Sequence, residues 1–484
     1  MKNIIVFLYL LPVLSFSQIQ IGEDIDGEAQ SNNSGWSVGL NNDGTIVAIG
    51  AIGNSGVNGI ASGHVRIFKN ESGTWTQIGE DIDGEAQVDY FGYALDLSLD
   101  GSIVAIGAIN NSNSAGHVRI FKNNSGVWTQ LGNTINGEAA NTFSGWSVSL
   151  SADGNVVAIS SPMAGVFSGY VSVYKYDSES EVWLKIGNHI EGDTFDYSGM
   201  SISLSADGNI VAIASSSSGD GLPANGKVRV YKNVALNWVQ IGTDLHDNLA
   251  GEVSETKVSL NASGDILAFG SPRNDNNGDD SGFVRVFKYN SGIWEQIGTG
   301  INGEAAGDES GSAISLNATG DVLAIGAYKN ENSSDSGHVR IYKNIAGNWQ
   351  KIGSDIDGEY AGDEFGGAVS LSADGNVVAI GAIENKAKGV QTGHVRVYDL
   401  TAVLSNKSFE NNYFSYYPNP VNNVLNIDVN NGLELKQVNI YNMQNQYLYS
   451  AKTSKINVNK LVSGMYFIEV ETTQGKSAKK IIIN

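Results

Sequence analysis

One pattern of apolar and polar positions recurs along most of the chain. Residues 365–382 give its clearest copy, F-G-G-A-V-S-L-S-A-D-G-N-V-V-A-I-G-A. Alternation at residues 369–371 predicts a short strand, and Asp374-Gly375 predicts a hairpin turn. The continuous apolar run at residues 377–380 predicts a second strand that is covered on both faces.

This hairpin returns at a nearly constant interval, which indicates a repeat architecture. Its turn falls every 53–57 residues, at Asp43, Asp100, Asp153, Asp207, Ser263, Thr319 and Asp374. Each copy continues with a third strand, such as G-H-V-R-I-F-K at 63–69, and a fourth, such as W-T-Q-I-G at 75–79. A connector resembling I-D-G-E-A then leads into the next copy. Four antiparallel strands repeated radially are typical of a β-propeller.

The count of fourth strands predicts how the ring closes. The third strand occurs seven times, but the W-x-Q-I-G strand follows only six of these copies. A relative, Q-I-Q-I-G, stands out of order at residues 18–22. Pairing of this segment with the last copy would leave no sheet without its outer strand. We therefore predict an all-β fold: a seven-bladed β-propeller closed by an N-terminal strand and followed by a small C-terminal β-sandwich.

The two ends of the chain depart from the repeat. Lys2, the apolar run 4–14 and the small residues Ser15 and Ser17 predict a signal peptide over residues 1–17, with cleavage between Ser17 and Gln18. No other stretch is apolar enough to predict a transmembrane segment in the mature protein. The predicted propeller covers residues 18–399, a linker covers 400–412, and a second β domain covers 413–484.

The repeats resemble FG-GAP-type repeats over residues 18–399. The likeness rests on the Phe-Gly pairs that open units at 91–92 and 365–366, and on the Gly-Ala pairs that end second strands at 107–108 and 381–382. It implies a secreted propeller, in some members an adhesion protein. Integrin-like members carry a calcium loop between their first two strands, which is reduced to Asp-Gly here.

The tail resembles the type A C-terminal sorting domain of the type IX secretion system. The residues that carry the likeness form three ordered motifs: Tyr417, Pro418, Asn419 and Pro420; Gly464 and Tyr466; and Lys479 and Lys480. By implication the signal peptide takes the chain across the inner membrane. The tail then takes it across the outer membrane by way of the type IX machinery. The protein would be released or attached to the cell surface.

The composition of the chain excludes some kinds of covalent link, metal site and ligand. Cysteine is absent, which excludes disulfides and thiolate metal sites. The 51 acidic residues outnumber the 29 basic ones, for a formal net charge of −22. Such a charge disfavours nucleic acid, because phosphate binding requires Lys and Arg.

Charged positions that repeat with the units predict scaffold contacts. Third strands carry Arg66, Arg119, Arg229, Arg285, Arg340 and Arg396, with Ser172 in the remaining copy. Connectors carry Glu28, Glu85, Glu138, Asp193, Glu304 and Glu359. We predict repeated ion pairs between the two sets. His64, His117, His338 and His394 stand two positions before arginines, one to a blade, so they are not expected to converge on one ion.

One loop offers a candidate calcium site. Asp275, Asn277 and Asp279 alternate in R-N-D-N-N-G-D-D-S-G, so their oxygens could surround the ion. The same residues are also ordinary turn formers. No other cofactor is expected.

Function is predicted only as a class. No nucleophile–base motif is present, so we expect a non-catalytic binding or adhesion module for an unknown protein or glycan. The variable loops after the second strands, at 52–62, 162–168, 216–225, 272–281 and 384–392, would bind it. One alternative is a secreted carbohydrate-active lyase or hydrolase, which needs non-repeated acids, His or Tyr near the axis. Another is a passive structural surface protein.

Overall fold

The computed structural model describes residues 18–216, 226–246, 256–329, 336–386, 388–405, 414–429, 433–442, 447–473 and 475–484. The chain divides into unit 1, Met1–Val403, and unit 2, Leu404–Asn484. The predicted signal peptide lies outside the described residues, as does most of the loop at 216–225. None of the described helices has the length and apolar character needed to cross a membrane.

Unit 1 is built almost entirely from short antiparallel strands. Its N-terminal segment contains β1 (Ile19–Gln20) and β2 (Ile25–Asp26). Sheet 1 contains β3 (Ser34–Leu40), β4 (Ile46–Ala51), β5 (His64–Glu71), β6 (Thr74–Gln77) and β7 (Ile82–Asp83). Sheet 2 contains β8 (Phe91–Leu97), β9 (Ile103–Ala108), β10 (His117–Asn124), β11 (Val127–Gln130) and β12 (Ile135–Asn136). Sheet 3 contains β13 (Val148–Leu150), β14 (Val156–Ser161), β15 (Tyr170–Asp177), β16 (Val182–Lys185) and β17 (Ile190–Glu191).

The same order of strands continues through the later copies. Sheet 4 contains β18 (Ser201–Leu204), β19 (Ile210–Ser215), β20 (Lys227–Val234), β21 (Asn237–Gln240) and β22 (Leu245–His246). Sheet 5 contains β23 (Lys257–Leu260), β24 (Ile266–Ser271), β25 (Phe283–Asn290), β26 (Ile293–Gln296) and β27 (Ile301–Asn302). Sheet 6 contains β28 (Ala313–Leu316), β29 (Val322–Ala327), β30 (His338–Ile345) and β31 (Asn348–Asp357). Sheet 7 contains β32 (Phe365–Leu371), β33 (Val377–Ala382) and β34 (His394–Asp399), together with β1 and β2.

Helical structure is sparse among the described residues. It consists of three short segments, α1 (Asn111–Ser114), α2 (Ala164–Phe167) and α3 (Thr401–Ser405). Leu400 and Val403, at the start of the predicted linker, are buried. The packed part of unit 1 therefore extends past residue 399.

The cores of unit 1 lie between neighbouring sheets. In every second strand, from β4 to β33, the second and third residues have no exposed surface, and the third is always alanine. Leu95, Leu97 and Val104 of sheet 2, for example, pack against Val65 and Ile67 of sheet 1. The apolar run that predicted a strand covered on both faces is explained by this packing.

Tryptophans of the fourth strands join the outer edges of neighbouring sheets. The indole Nε1–H of five of them donates to a backbone carbonyl of the preceding copy, at 2.7–3.1 Å. Trp75, for example, donates to Ile21 in the N-terminal segment. The Nε1 atom of Trp349 is buried and has no such partner.

A second set of bonds joins the inner edges of the sheets and returns to its starting point. The residue before each hairpin turn donates its backbone N–H to the carbonyl of its counterpart in the next sheet, at 2.8–3.0 Å. In order these residues are Asn42, Leu99, Ala152, Ala206, Ala262, Ala318 and Ala373, and Ala373 donates to Asn42.

A parallel ring of bonds satisfies the N–H of the last leucine in each inner strand. In five cases the acceptor is the hydroxyl of a serine in the preceding sheet, at 2.9–3.1 Å: Ser149, Ser203, Ser259, Ser315 and Ser370. Sheet 1 has Gly39 at this position, which has no side chain to offer. Asp96 of sheet 2 compensates. Its Oδ2 accepts from Leu150 at 2.7 Å, and its Oδ1 accepts from Leu97 at 2.9 Å.

The N-terminal segment pairs with the last sheet. Ile19 is opposite Asp399 in β34, and Ile25 is opposite Val395 in the same strand. The side-chain amide of Gln18 donates to the carbonyl of Ser354 at 2.7 Å. The strand missing from the seventh copy is therefore supplied from the other end of unit 1.

Unit 2 consists of two sheets around one core. One contains β35 (Phe414–Tyr417), β36 (Val424–Val429) and β39 (Lys455–Asn457). The other contains β37 (Leu435–Asn442), β38 (Tyr447–Ala451), β40 (Gly464–Thr472) and β41 (Gly475–Ile483). Leu425 and Ile427 of the first sheet share a buried cluster with Val438, Ile440 and Ile468 of the second.

We expect Trp75→Phe to destabilise unit 1 more than Trp349→Phe. Both changes remove similar volume, but only the first removes a hydrogen bond, worth about 1 kcal/mol. Urea unfolding followed by tryptophan-independent circular dichroism would measure the difference. Equal losses would contradict the contribution of the indole hydrogen bond to the stability of unit 1.

We also expect Asp96→Ser to leave the Leu97 N–H without a partner, at a cost of about 1–3 kcal/mol. The double variant Gly39→Ser/Asp96→Ser should recover much of this loss, because each leucine N–H then meets a serine hydroxyl. A β-carbon at Gly39 would lie 2.9 Å from Leu95 Cδ1, the end of a flexible side chain, so it can be accommodated. Urea midpoints of the wild type, both single variants and the double variant would reveal the coupling. Additive losses would refute it.

Candidate functional site

In each inner strand, the residue four positions before the recurrent leucine differs from copy to copy, as the residue at the serine position also does. Its occupants change around the ring: Trp36, Tyr93, Trp146, Met200, Thr256, Ser312 and Gly367. Three consecutive sheets therefore carry aromatic residues, and the opposite sheets carry small ones.

The aromatic residues form one continuous wall. The ring centroids of Trp36 and Tyr93 are 5.5 Å apart, and those of Tyr93 and Trp146 are 5.0 Å apart. Phe143 meets Trp146 edge-on at 6.4 Å. The three wall residues are half-buried, so part of each ring remains available to a ligand.

The opposite side is polar and charged. Glu364 precedes Phe365-Gly366 in the left-handed conformation, with φ of 54°, and Glu309 occupies the equivalent position in sheet 6 with φ of 50°. Tyr90 and Phe143 stand at the equivalent positions before sheets 2 and 3 and have the same left-handed conformation. This left-handed conformation is therefore a feature of the repeat.

Two of these charged groups form a pair. Lys329 Nζ donates to Glu309 Oε1 at 2.7 Å, and the Glu309 side chain is almost fully buried. This bond raises the pKa of Lys329. Burial, together with the adjacent Glu309, raises the pKa of Tyr328 to about 12, so this phenol stays protonated at neutral pH.

Both sides face a single cavity of about 730 Å³. Besides the aromatic wall, its lining includes Lys257, Tyr328, Glu364, Ile383 and Glu384. Glu384 follows β33, and its Oε1 accepts from Gln391 at 2.9 Å. The chemical groups of this cavity therefore come from different sheets and do not repeat.

A smaller cavity of about 210 Å³ lies at the other end of the inner strands. Its lining includes Asp96 and four of the five serines that accept from leucine N–H groups, Ser149, Ser203, Ser315 and Ser370. Asp96 is partly buried at this cavity, and burial raises its pKa to about 6 although three hydrogen bonds oppose the shift. Both of its oxygens accept backbone N–H groups, and Ser149 adds a third bond at 3.3 Å. We therefore interpret Asp96 as part of the scaffold.

The predicted ion pairs between third strands and connectors are present in five copies. They join Arg66 to Glu28, Arg119 to Glu85, Arg229 to Asp193, Arg340 to Glu304 and Arg396 to Glu359. In sheet 3, where serine replaces the arginine, Lys185 Nζ pairs with Glu138 at 2.7 Å. His189 bridges Ser172, at 2.7 Å, and Glu138, at 3.2 Å. Ser172 is 3% exposed.

The candidate calcium residues hold their own loop together. Asp275 Oδ1 accepts from the N–H of Asp280 at 2.8 Å. The amide of Asn277 donates to the carbonyls of Gly303 and Glu304, both at 2.8 Å. Asp279 is exposed, and its carbonyl accepts from Gly307. The calcium site stays a prediction.

The sorting-motif residues from the two ends of unit 2 meet in space. Asn419 Oδ1 accepts from the N–H of Ile482 at 2.8 Å, and Tyr416 donates to the carbonyl of Lys480 at 2.8 Å. Tyr466 is buried and donates to Val462 at 2.8 Å. Tyr417 is half exposed.

Residues 415–484 match the family model of the secretion system C-terminal sorting domain. The prediction of a type IX sorting domain is confirmed by this match. The domain implies export of the chain and its release or attachment outside the cell. No curated protein matches the chain.

Solved structures similar to the chain include three from different organisms. The periplasmic gluconolactonase PpgL of Pseudomonas aeruginosa is 16% identical, with a TM-score of 0.48, over 71% of this chain and 96% of that chain. A putative 6-phosphogluconolactonase from Bacteroides uniformis is 14% identical, with a TM-score of 0.46, over 86% and 97%. Sqt1 from Chaetomium thermophilum is 15% identical, with a TM-score of 0.46, over 79% and 90%.

The prediction that this chain is not an enzyme is contradicted by these comparisons, because the two lactonases are enzymes. It rested on the absence of a nucleophile–base motif from the sequence, and an enzyme was expected to need non-repeated acids, His or Tyr. The cavity lined by Trp36, Tyr93, Trp146, Glu364 and Glu384 is asymmetric. Nothing about the reaction of this chain follows from likenesses of 14–16% identity.

The sequence-based interpretation missed the residues that line this cavity. A comparison of the seven copies position by position would have found them, because Trp36, Tyr93 and Trp146 stand where the later copies carry Ser312 and Gly367. Asp96 would have emerged in the same way, as the one acid among serines.

As the pH rises from about 4 to 6, unit 1 should lose the part of its free energy of unfolding that Asp96 contributes. Its pKa is about 6 in the folded chain and 3.8 ordinarily, so folding favours the protonated acid and this contribution disappears as the acid ionises. The effect is at most about 3 kcal/mol, less where water enters the cavity. Urea titrations of wild type and Gly39→Ser/Asp96→Ser between pH 4 and 7 would measure it. The same slope in both chains would contradict the assignment.

Proposed function

We propose that residues 18–399 form a seven-bladed β-propeller closed by its N-terminal strand. Three observations support this proposal. The described strands of unit 1 group into seven sheets. Backbone hydrogen bonds run from Asn42 through every sheet and return to it. The N-terminal β1 pairs with β34 of the seventh sheet.

We propose that this exported propeller is a carbohydrate-active hydrolase whose active site is the 730 Å³ cavity. The observation that carries the proposal is the composition of this one cavity: an aromatic wall faces two glutamates and a tyrosine. Large concave sites with apolar walls and a few convergent polar groups are the usual form of a substrate site.

The aromatic wall suits the apolar face of a sugar ring. Axial C–H groups of a pyranose present a flat, weakly positive surface, and the faces of Trp36, Tyr93 and Trp146 carry the complementary negative potential. Contact between the three rings makes the wall long enough for more than one sugar unit. An extended glycan is therefore a better substrate than a monosaccharide.

The glutamates supply the chemistry of glycoside hydrolysis. One carboxyl group protonates the leaving oxygen of the glycosidic bond, and the second carboxylate activates water or attacks the anomeric carbon. Glu364 and Glu384 line the cavity from successive segments of the seventh copy. Water then supplies the hydroxyl of the new reducing end.

Hydrolysis of a neutral glycan fits the cavity better than β-elimination of a uronate. A lyase needs a base that removes the proton beside the uronate carboxylate, and the raised pKa of Tyr328 disfavours this phenol in that role. Glu364 and Glu384 would repel the substrate carboxylate. Lys329 is held by Glu309, and Lys257, the lysine of the lining, is outnumbered by these two glutamates.

Several sequence predictions remain proposals beside this one. They are the FG-GAP character of the repeats, cleavage between Ser17 and Gln18, and calcium at Asp275, Asn277 and Asp279.

We expect the full-length purified chain to release reducing ends from neutral polysaccharides such as β-glucan, xylan or mannan. Polygalacturonate should give neither reducing ends nor unsaturated products. Glu364→Gln and Glu384→Gln should each lower kcat by about 10²–10⁴-fold, the usual contribution of general acid–base catalysis. Trp146→Ala should raise KM more than it lowers kcat.

Glu80→Gln provides the matched control, because Glu80 is exposed and lies outside the cavity lining. Full activity of both cavity glutamine variants, with the wild type active, would move the active site elsewhere. Lack of turnover on every neutral glycan, with folding verified by circular dichroism, would overturn the proposed activity.

A further inference from the structure

Two of the four third-strand histidines occupy an unusual environment. His64 and His394 have no exposed surface. In the described structure Nε2 of each ring makes no hydrogen bond, and Nδ1 has only an aspartate oxygen beside it, at 3.2 Å for His64 and 3.4 Å for His394. A buried polar group without a partner is costly, so a missing partner must be sought. This question is independent of the proposed hydrolase activity.

Each of these histidines faces two carboxylates. His64 meets Glu28 and Asp81, and His394 meets Asp24 and Glu359; in each trio the donor atoms lie within 4.8 Å of one another. His64 Nδ1 is 3.2 Å from Asp81 Oδ2, and His394 Nδ1 is 3.4 Å from Asp24 Oδ2. Small side-chain adjustments would bring these donors to metal–ligand distances of about 2.0–2.2 Å.

The aspartates are held in place by glutamines. Gln77 Nε2 donates to Asp81 Oδ1 at 2.8 Å, and Gln20 Nε2 donates to Asp24 Oδ1 at 2.7 Å. In both cases the other oxygen, Oδ2, points to the imidazole. Hydrogen bonds that orient a carboxylate in this way are typical of metal ligands.

The neighbouring arginines leave a negative charge in each trio. Arg66 donates to the carbonyl of Asp26 at 2.7 Å, and its NH1 is 3.6 Å from Glu28. Arg396 likewise donates to Asp357 at 2.7 Å and lies 3.6 Å from Glu359. One guanidinium thus stands beside two carboxylates.

The other two histidines show what the trios require. In sheet 2, Thr134 occupies the position of Asp81, so the trio around His117 keeps Glu85 but lacks the aspartate. In sheet 6, the acids beside His338 already have cations. Arg340 pairs with Glu304 and lies 3.3 Å from Asp355, and Lys351, which replaces the glutamine, also pairs with Asp355.

We propose that Glu28, His64 and Asp81 form one binding site for a divalent transition-metal ion, and that Asp24, Glu359 and His394 form a second. One imidazole and two carboxylates suit Zn²⁺, and the imidazole disfavours Ca²⁺ and Mg²⁺, which prefer oxygen ligands alone. The second site joins the N-terminal segment to the seventh sheet through Asp24 and His394. Metal bound there strengthens ring closure.

The test is a titration of the untagged, full-length, chelator-treated chain with ZnCl₂ by calorimetry, with parallel thermal melts. We expect two equivalents to bind at micromolar Kd or tighter. A free concentration about a hundredfold above Kd should raise Tm by several degrees. Asp24→Asn and Asp81→Asn should each reduce the stoichiometry to one, and the double variant should abolish binding. CaCl₂ should not substitute.

The third position supplies a control and a gain of function. His117→Gln should leave the stoichiometry at two, because that trio is incomplete. Thr134→Asp completes it beside Gln130, which donates to Thr134 at 3.1 Å, and should raise the stoichiometry to three. Absence of Zn²⁺ binding by the folded wild-type chain, or binding unchanged in the double variant, would overturn the proposal.

Discussion

The structure of unit 1 depends on the requirement that inner-strand backbone groups find partners across the gap between sheets. Each inner strand is the edge of its own sheet, and an unpaired edge inside a protein is costly. The ring that runs from Asn42 to Ala373 and back satisfies the turns, and six of the seven leucine N–H groups are satisfied by the preceding sheet. Such a ring has no free end, so every copy must repeat the same geometry.

This requirement fixes some positions and leaves others free. The serine position has to supply an acceptor in every sheet, and the one failure, Gly39, is corrected by the second oxygen of Asp96. The position three residues before the serine makes none of these hydrogen bonds. Trp36, Tyr93 and Trp146 can therefore occupy it in three neighbouring sheets without breaking the ring of hydrogen bonds. A symmetrical scaffold can therefore carry an asymmetric cavity.

The sequence predicted what the copies share. The hairpins, the third and fourth strands and the Arg–acid pairs follow from residues that recur with the period, and Gln18 and Ile19 could be matched to the strand absent from the last copy. The contents of the cavity could not be derived from that period. Glu364 lines it from a position in the left-handed backbone conformation, and Glu384 comes from a loop whose course the repeat does not specify. The non-catalytic interpretation was wrong because it considered the residues that the copies share and not the positions at which the copies differ.

The third strands show how the same charge balance is reached with different side chains. Five copies place an arginine against a connector acid, and sheet 3 reaches the same neutralisation of Glu138 with Lys185 and His189. The fully buried Ser172 therefore replaces a guanidinium, and its contact with His189 needs no catalytic explanation. The trios at His64 and His394 differ, because there the acids outnumber the nearby arginine. In most copies the cationic side chains balance the nearby acids. A metal ion can bind only in a copy whose residues depart from this balance.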